Sequence, residues 1–533
     1  MSVFRIPEIA TSVCSYLERK DNVQFLLTSK LGLQTAAPLV WRELHSVLPV
    51  LRLLFPEART HTKQHAHWPR VKCHSFDIRK CGATPDRLRT YASYIKQLTV
   101  FEDYSGYIEI EGWPELLRYN QHSLLPSLRH LTLKTWPHHN PRDKLLWVAL
   151  LACPSIIELQ VLPIYYIESG TRPSVKMASL ILRVLVDRCP GLQQLAIHPS
   201  AIASEEVEDY SAYSRMPLIE SISGDHKPYV QYLKLFRGLR VLNTSSAIFE
   251  PSSLGEVAKL PHLRDLVVRE PNPSVLKLDH NLYQDLGVES FPSLESLWVY
   301  FTKHENLISM LSIRRMVERL RSLFLSFGIL SGNLPARDRE PWVEKLLLCL
   351  SDMPNLKHLE ISIHGWNIPG TSIHLSRLDA PTLAFSKLSL QYLLLTSIEF
   401  EPSIVHRHSF INMCPSVTCL LLPNQCAPPG VLVSLAELPL LEYLEINLQI
   451  KEFNLRTHYV ASPNRSLKTL KCSEHSHSVS TEEVDAIQTH ASFLMSLWPN
   501  LSHITAPEFE VDVCQYASAL DHLIASSQEA TAK

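Results

Sequence analysis

A chain of 533 residues is longer than a single hydrophobic core sustains, so it requires several domains or an extended array. A net charge of -2 and a pI of 6.9 exclude broad binding to a phosphate backbone, which needs a basic surface. Its 15 glycines form no phosphate-cradling loop, while 45% apolar residues suffice for a folded core.

The first 47 residues differ from the rest. Pro7 suits a first helical turn, and Ile9, Val13, Tyr16 and Leu17 fall on one face of the helix that follows. Asp21, with Gln24 three residues on, has the spacing of a capping box at the start of a second helix, whose apolar side is Val23, Leu26 and Leu27. Pro38 interrupts the next segment before Leu39-Val40-Trp41-Arg42-Glu43-Leu44. Arg5, Glu8, Arg19 and Lys20 break any signal-peptide core, so a cytoplasmic or nuclear location is expected.

Taken together, Ile6-Pro7-Glu8-Ile9, Cys14-Ser15-Tyr16-Leu17, Asp21, Thr28-Ser29-Lys30 and Leu39-Val40-Trp41-Arg42-Glu43-Leu44 resemble an F-box, over about 40 residues. The sequence departs from that family by opening on Ile-Pro rather than Leu-Pro, and by lacking a Trp after Lys30. The resemblance implies docking on a Skp-type adaptor of a cullin–RING ubiquitin ligase, with Ile6, Pro7, Ile9, Val13, Leu17, Trp41 and Leu44 forming or supporting the contact. The alternative is a helical cap closing the array that follows.

Residues 48–84 read as a connector broken by Pro49, Pro56 and Pro69. The histidines at 61, 65 and 67 have only Cys73, His74 and Cys81 nearby to complete a closed four-ligand metal site, and a solvated loop is expected instead, as for the pairs at 138/139, 406/408 and 475/477.

From about residue 85 to 510 one pattern recurs. Pro126-Ser127-Leu128-Arg129-His130-Leu131-Thr132-Leu133 carries L-x-x-L-x-L behind a proline. Its first apolar position recurs at Ile95, Leu128, Ile156, Leu192, Leu239, Leu263, Leu294, Leu320, Leu356, Leu390, Val417, Leu441, Leu467 and Leu501, an average interval of roughly 31 residues. Within each copy apolar and other residues alternate with the period of a strand. One such strand cannot bury its apolar side alone, so the copies must stack. Helical segments feed the strands: 144–152, 177–188 and 480–497, the last with a Ser480/Glu483 capping box. Residues 205–209 and 335–340 read as solvated loops. This stretch resembles the leucine-rich-repeat family in a long, irregular form, without the Asn that often follows the strand. The expected fold class is α/β, a solenoid with a parallel sheet and outer helices, preceded by a small all-α module. Residues 511–533 are expected to be a cap and a frayed tail.

Eleven cysteines, three of them directly before proline (Cys153, Cys189, Cys414), are expected as small buried thiols. No hydrolase, metalloprotease, P-loop or dinucleotide motif is present, so no catalytic residue, metal or cofactor is assigned and an enzyme is not expected. Nor is a nucleic-acid or membrane partner, since the apolar run 145–153 is too short to span a bilayer.

Together the two resemblances imply a substrate receptor of a ubiquitin ligase: adaptor on the helical module, target protein on the repeats. The alternative is a non-catalytic scaffold or inhibitor acting outside any ligase. Positions alternating with the buried leucines face the open side of the sheet. There Trp298, Tyr300 and Phe324 are expected to form an aromatic cluster that anchors the target protein, with Asp265, Arg269, His358 and Glu360 as its polar rim. The competing expectation is that an insertion covers this face and the aromatics are core.

Overall fold

The computed structural model describes residues 6–65, 68–79, 81–100, 106–119, 123–135, 141–163, 172–200, 228–269, 286–287, 289–302, 304–328, 336–364, 372–376, 379–401, 409–449, 463–473, 484–506 and 511–532. The chain divides into two units, Met1–Pro271 and Asn272–Lys533.

The first unit opens with helices Pro7–Tyr16, Arg19–Thr28 and Lys30–Val40. Asp21 does not cap the second of these. It lies in the first turn, behind Glu18 at the N-cap, and no side-chain cap forms there. The boundary is held instead by Asn22, buried, whose amide donates to the carbonyls of Cys14 at 2.9 Å and Leu17 at 3.2 Å, at the end of the first helix. Ser29 caps the third helix by accepting from the Gly32 N–H at 2.9 Å. Gly32 also permits close packing of the second and third helices, since a Cβ there would run into the Phe25 carbonyl.

A parallel sheet follows, its strands adjacent in chain order: Glu43–Leu44, Gln97–Thr99, His130–Thr135, Glu158–Pro163, Gln194–Ile197, Val241–Thr244 and Asp265–Arg269. In register, Leu44, Leu98, Leu131, Leu159, Leu195, Leu242 and Leu266 form one buried column. The array therefore begins at Glu43, inside the segment expected to be a separate module. The expected connector is structured as well. It holds helix Leu48–Leu54 and strands Arg59–His65 and Trp68–Asp77, which pair antiparallel, the second also pairing parallel with Gly106–Glu111.

The second unit repeats the scheme with Ser296–Thr302, Ser322–Gly328, His358–His364, Tyr392–Thr396, Cys419–Ala427, Tyr443–Leu448, Thr469–Cys472 and His503–Thr505. Its buried column is Leu297, Leu323, Leu359, Leu393, Leu420, Leu444, Leu470 and Ile504. Helices such as Val175–Arg188, Ala336–Leu350 and Val484–Leu497 return the chain between strands and bury their apolar faces behind the sheets. This is the leucine-rich-repeat architecture, an α/β solenoid.

All fourteen marker positions are buried, at 1% exposure or less, and each lies two residues before a strand. The proline has a geometric role. In copies such as Cys153-Pro154-Ser155-Ile156 and Met353-Pro354-Asn355-Leu356, the marker N–H donates back across a four-residue turn to the residue before the proline, at 3.2 and 3.1 Å. Proline presets the backbone at the second position of such a turn. A second device replaces the missing Asn. Two N–H groups at a strand entrance converge on one carbonyl of the preceding repeat: Arg321 and Ser322 on Glu295, Lys357 and His358 on Arg321, Gln391 and Tyr392 on Lys357. These bonds need no particular side chain, so the sequence there is free to vary.

Two further expectations change. Residues 336–340 belong to helix Ala336–Leu350 rather than to a loop, and the tail is helix Val511–Ala532. Tyr516, Leu520 and Ile524 of that helix are buried, Asp521 accepts from the Ile504 N–H at 2.7 Å, and Gln528 donates to the Leu501 carbonyl at 2.7 Å. The helix thus covers the edge of the last strand, satisfying groups that an open sheet leaves unpaired. The loop 205–209, the capping box at 480/483 and the histidine pairs at 138/139, 406/408 and 475/477 lie outside the described residues.

Candidate functional site

The helical module presents an apolar surface that the array does not cover. In the first helix Ala10 and Cys14 face inward, fully buried, while Ile6, Ile9, Tyr16 and Leu17 are exposed and Val13 is half-buried. At 3.6 residues per turn these two sets form adjoining stripes, so the apolar arc is wider than the groove it fills. The second and third helices add Val23, Leu27 and Leu33, with Leu27 at 78% exposure. Of the thirteen exposed large apolar side chains among the described residues, seven fall within residues 6–33.

Two of the residues expected at this surface are placed elsewhere. Leu44 is 2% exposed and belongs to the core column of the first sheet, because it is the strand residue of the first repeat. Trp41 is half-buried and stacks on Tyr91, ring centroids 4.7 Å apart, at the position of a repeat marker two residues before Glu43. Pro7 is exposed beside Ile6 and Ile9. Leu33 joins this surface without a motif in the sequence to mark it. It sits four residues after Ser29, on the outer side of the helix that Ser29 caps.

In the second unit the open side of the sheet carries a run of aromatic rings. Trp298 and Phe324 are in register and stack at 3.6 Å with 22° between planes, and Tyr300 lies 6.1 Å from Trp298. The run continues from Phe324 to His358 at 5.9 Å and from His358 to Tyr392 at 4.1 Å. Trp298, Tyr300, Phe324, His358 and Tyr392 are all half-buried, so they line a surface rather than fill a core. Tyr392 was reachable from the sequence by extending the alternation one strand further, because it pairs in register with His358.

Burial pushes His358 down from its ordinary value, so it is neutral at neutral pH. Burial pushes the Glu360 carboxyl up. Tyr392 is pushed up to about 12, chiefly by burial and then by the nearby charge of Glu360. Elsewhere on the same face Glu445 pairs with Lys471 at 3.2 Å. Asp265 and Arg269 lie on the Asp265–Arg269 strand of the first unit. Burial pushes His198 of that unit down to about 4, with Arg172 and Arg269 adding to the effect, while Nε2 bonds to Asn243 Oδ1 at 2.9 Å.

Among the described residues no three His, Cys, Asp or Glu side chains converge as a metal site, and no helix is long and apolar enough to cross a membrane. The side chains of His61, His65, Cys73 and His74 lie outside the described set, as does residue 67.

No family model matches the chain, and no curated protein matches it. Among solved structures it is similar to an internalin, InlF, from Listeria monocytogenes, at 14% identity over 71% of this chain and 82% of that one, with a TM-score of 0.31. It is also similar to the Rad7–Elc1 complex of yeast, at 14% identity over 80% of this chain and 81% of that one, again with a TM-score of 0.31. Superpositions of that quality carry no argument about function; the repeat architecture rests on the strands, turns and buried columns described above.

Proposed function

We propose that this chain is a non-catalytic receptor that joins two proteins: a Skp-type adaptor of a cullin–RING ubiquitin ligase on its N-terminal helices, and a target on the open face of its repeats. One observation carries the adaptor half, the concentration of exposed apolar residues on the three helices. Apolar patches of this kind mark partner sites, because an unbound monomer gains nothing by keeping them in water. The resemblance of residues 6–44 to an F-box names the partner class. In this reading the chemistry of ubiquitin transfer belongs to the partner complex, and this chain positions the substrate.

The test is recovery of a purified Skp-type adaptor by wild-type protein and by Ile9→Asp combined with Leu27→Asp. Both side chains are exposed, so the double variant is expected to fold normally and to lose the adaptor. Equal recovery from both proteins leaves a scaffold or inhibitor outside any ligase as the better account. Deleting residues 1–47 is a poor substitute, because it removes the first strand of the sheet and the buried residues Leu44 and Val47.

A further inference from the structure

Glu360 lies on the open face of the second unit, on the third of its eight strands. Its register partners are Phe324 on one side and Leu394 on the other, and its same-side neighbours along the strand are His358 and Ser362. None of these four is a cation at neutral pH, since burial keeps His358 neutral. Among the described residues Glu360 makes no hydrogen bond or ion pair. Lys471, on the same row, is four strands away, about 19 Å at ordinary strand spacing, and is already paired with Glu445. A half-buried carboxylate without a partner is costly, and such groups concentrate where a ligand uses them.

The surroundings specify the ligand. The widest step between neighbouring strands in the aromatic run, 5.9 Å between Phe324 and His358, lies across the same two strands that bring Glu360 beside Phe324. Trp298 backs Phe324 face to face, and its indole N–H is satisfied by Ser296 Oγ at 2.8 Å, so the pair offers π surface rather than a free donor. A planar cation that stacks on a ring and presents a fork of N–H groups to a carboxylate is a guanidinium.

We propose that this face takes a protein segment through one arginine, its guanidinium laid against Phe324 and paired with the Glu360 carboxylate. The inference rests on the proposed function's assignment of this face to the target, and it names what the target must present.

The experiment pans a displayed random dodecapeptide library on the full chain, then measures selected peptides by fluorescence anisotropy on wild type, on Glu360→Gln and on Trp298→Ala combined with Phe324→Ala. The expected result is arginine-bearing peptides that lose both variants. Glu360→Gln, or arginine replaced by citrulline in the peptide, is expected to weaken binding tenfold or more, and arginine replaced by lysine several-fold. Glu360→Gln is nearly isosteric and removes an unpaired charge, so its melting temperature is expected to equal or exceed that of wild type. A lower one would make Glu360 structural and overturn the inference. Peptides that require the aromatic pair yet lack arginine, prefer lysine, or tolerate Glu360→Gln also overturn it, while leaving the face as the target site. Selection of no peptide that depends on the aromatic pair overturns both.

Discussion

Leu359 is the most direct probe of the repeat architecture. It is 0% exposed and lies inside the second unit's buried column, with Leu323 and Leu393 in register on either side. Leu359→Ala removes three carbons from this site, and at about 0.8 kcal/mol for each buried carbon the transfer loss alone is about 2.4 kcal/mol. The neighbouring leucines are held by the backbone ladder and cannot close the gap, so a cavity penalty adds to that loss and brings the total to roughly 3–4 kcal/mol. The assay is urea unfolding followed by far-ultraviolet circular dichroism, with the midpoint shift converted through the wild-type slope. Leu440→Ala is the control: the chemistry is identical, but Leu440 is 51% exposed, and its effect is expected to stay within about 0.5 kcal/mol. A Leu359→Ala loss below about 1 kcal/mol, or one equal to the control, would refute the column as the source of cohesion.

Three further outcomes are expected. Ile9→Asp with Leu27→Asp should leave the melting temperature within a degree or two of wild type, roughly the effect of surface substitutions, and a large fall in calorimetry would show that these residues are core. His198 is buried and neutral, pushed down to about 4, so its contribution to stability is fully present above about 6.5 and is lost as the pH falls toward 4. A displacement of about 2.5 units corresponds to roughly 3 kcal/mol, and His198→Gln should flatten that part of the pH–stability curve measured by urea titration. Cys14, Cys153, Cys189, Cys414 and Cys472 are free and buried, with Cys189 and Cys472 pushed up to about 12 by burial, so a thiol reagent should reach them only in denaturant, and fast native labelling at these positions would contradict their burial.

The repeat was legible because its two signals are local. An apolar residue two positions before each strand, and in most copies a proline turn ahead of it, are written within eight residues, and every one of the fourteen markers precedes a strand. The fifteenth strand, Glu43–Leu44, also has its marker, Trp41, and its core residue, Leu44, but Ser46 stands at the third apolar position, and the same residues fit a helical motif. The three-stranded insertion could not be read because Arg59-Thr60-His61-Thr62-Lys63-Gln64-His65 has neither apolar alternation nor a turn signal; its pairing is decided by the strands it meets. The terminal helix was legible in principle. Val513, Tyr516, Ala517, Leu520 and Ile524 follow helical spacing and are buried, but the small polar residues between them dominate the composition. On the open face, register followed from the marker positions, and with it the neighbours Trp298 and Phe324. The missing partner of Glu360 was not legible, because an absent charge has no motif.

Only Trp41 and Arg42 separate the third N-terminal helix from the first strand of the sheet, and both are tied in: Trp41 by its ring against Tyr91, Arg42 by its carbonyl, which accepts from Lys96 and Gln97 at 2.9 and 3.0 Å. The helices are therefore clamped to the sheet, not tethered to it. A flexible tether lets one end search a volume whose size grows with tether length. Here that search is absent, and a protein seated on the helices inherits a fixed heading and offset relative to the first rungs of the array. Lengthening this two-residue joint would change aim without touching either surface.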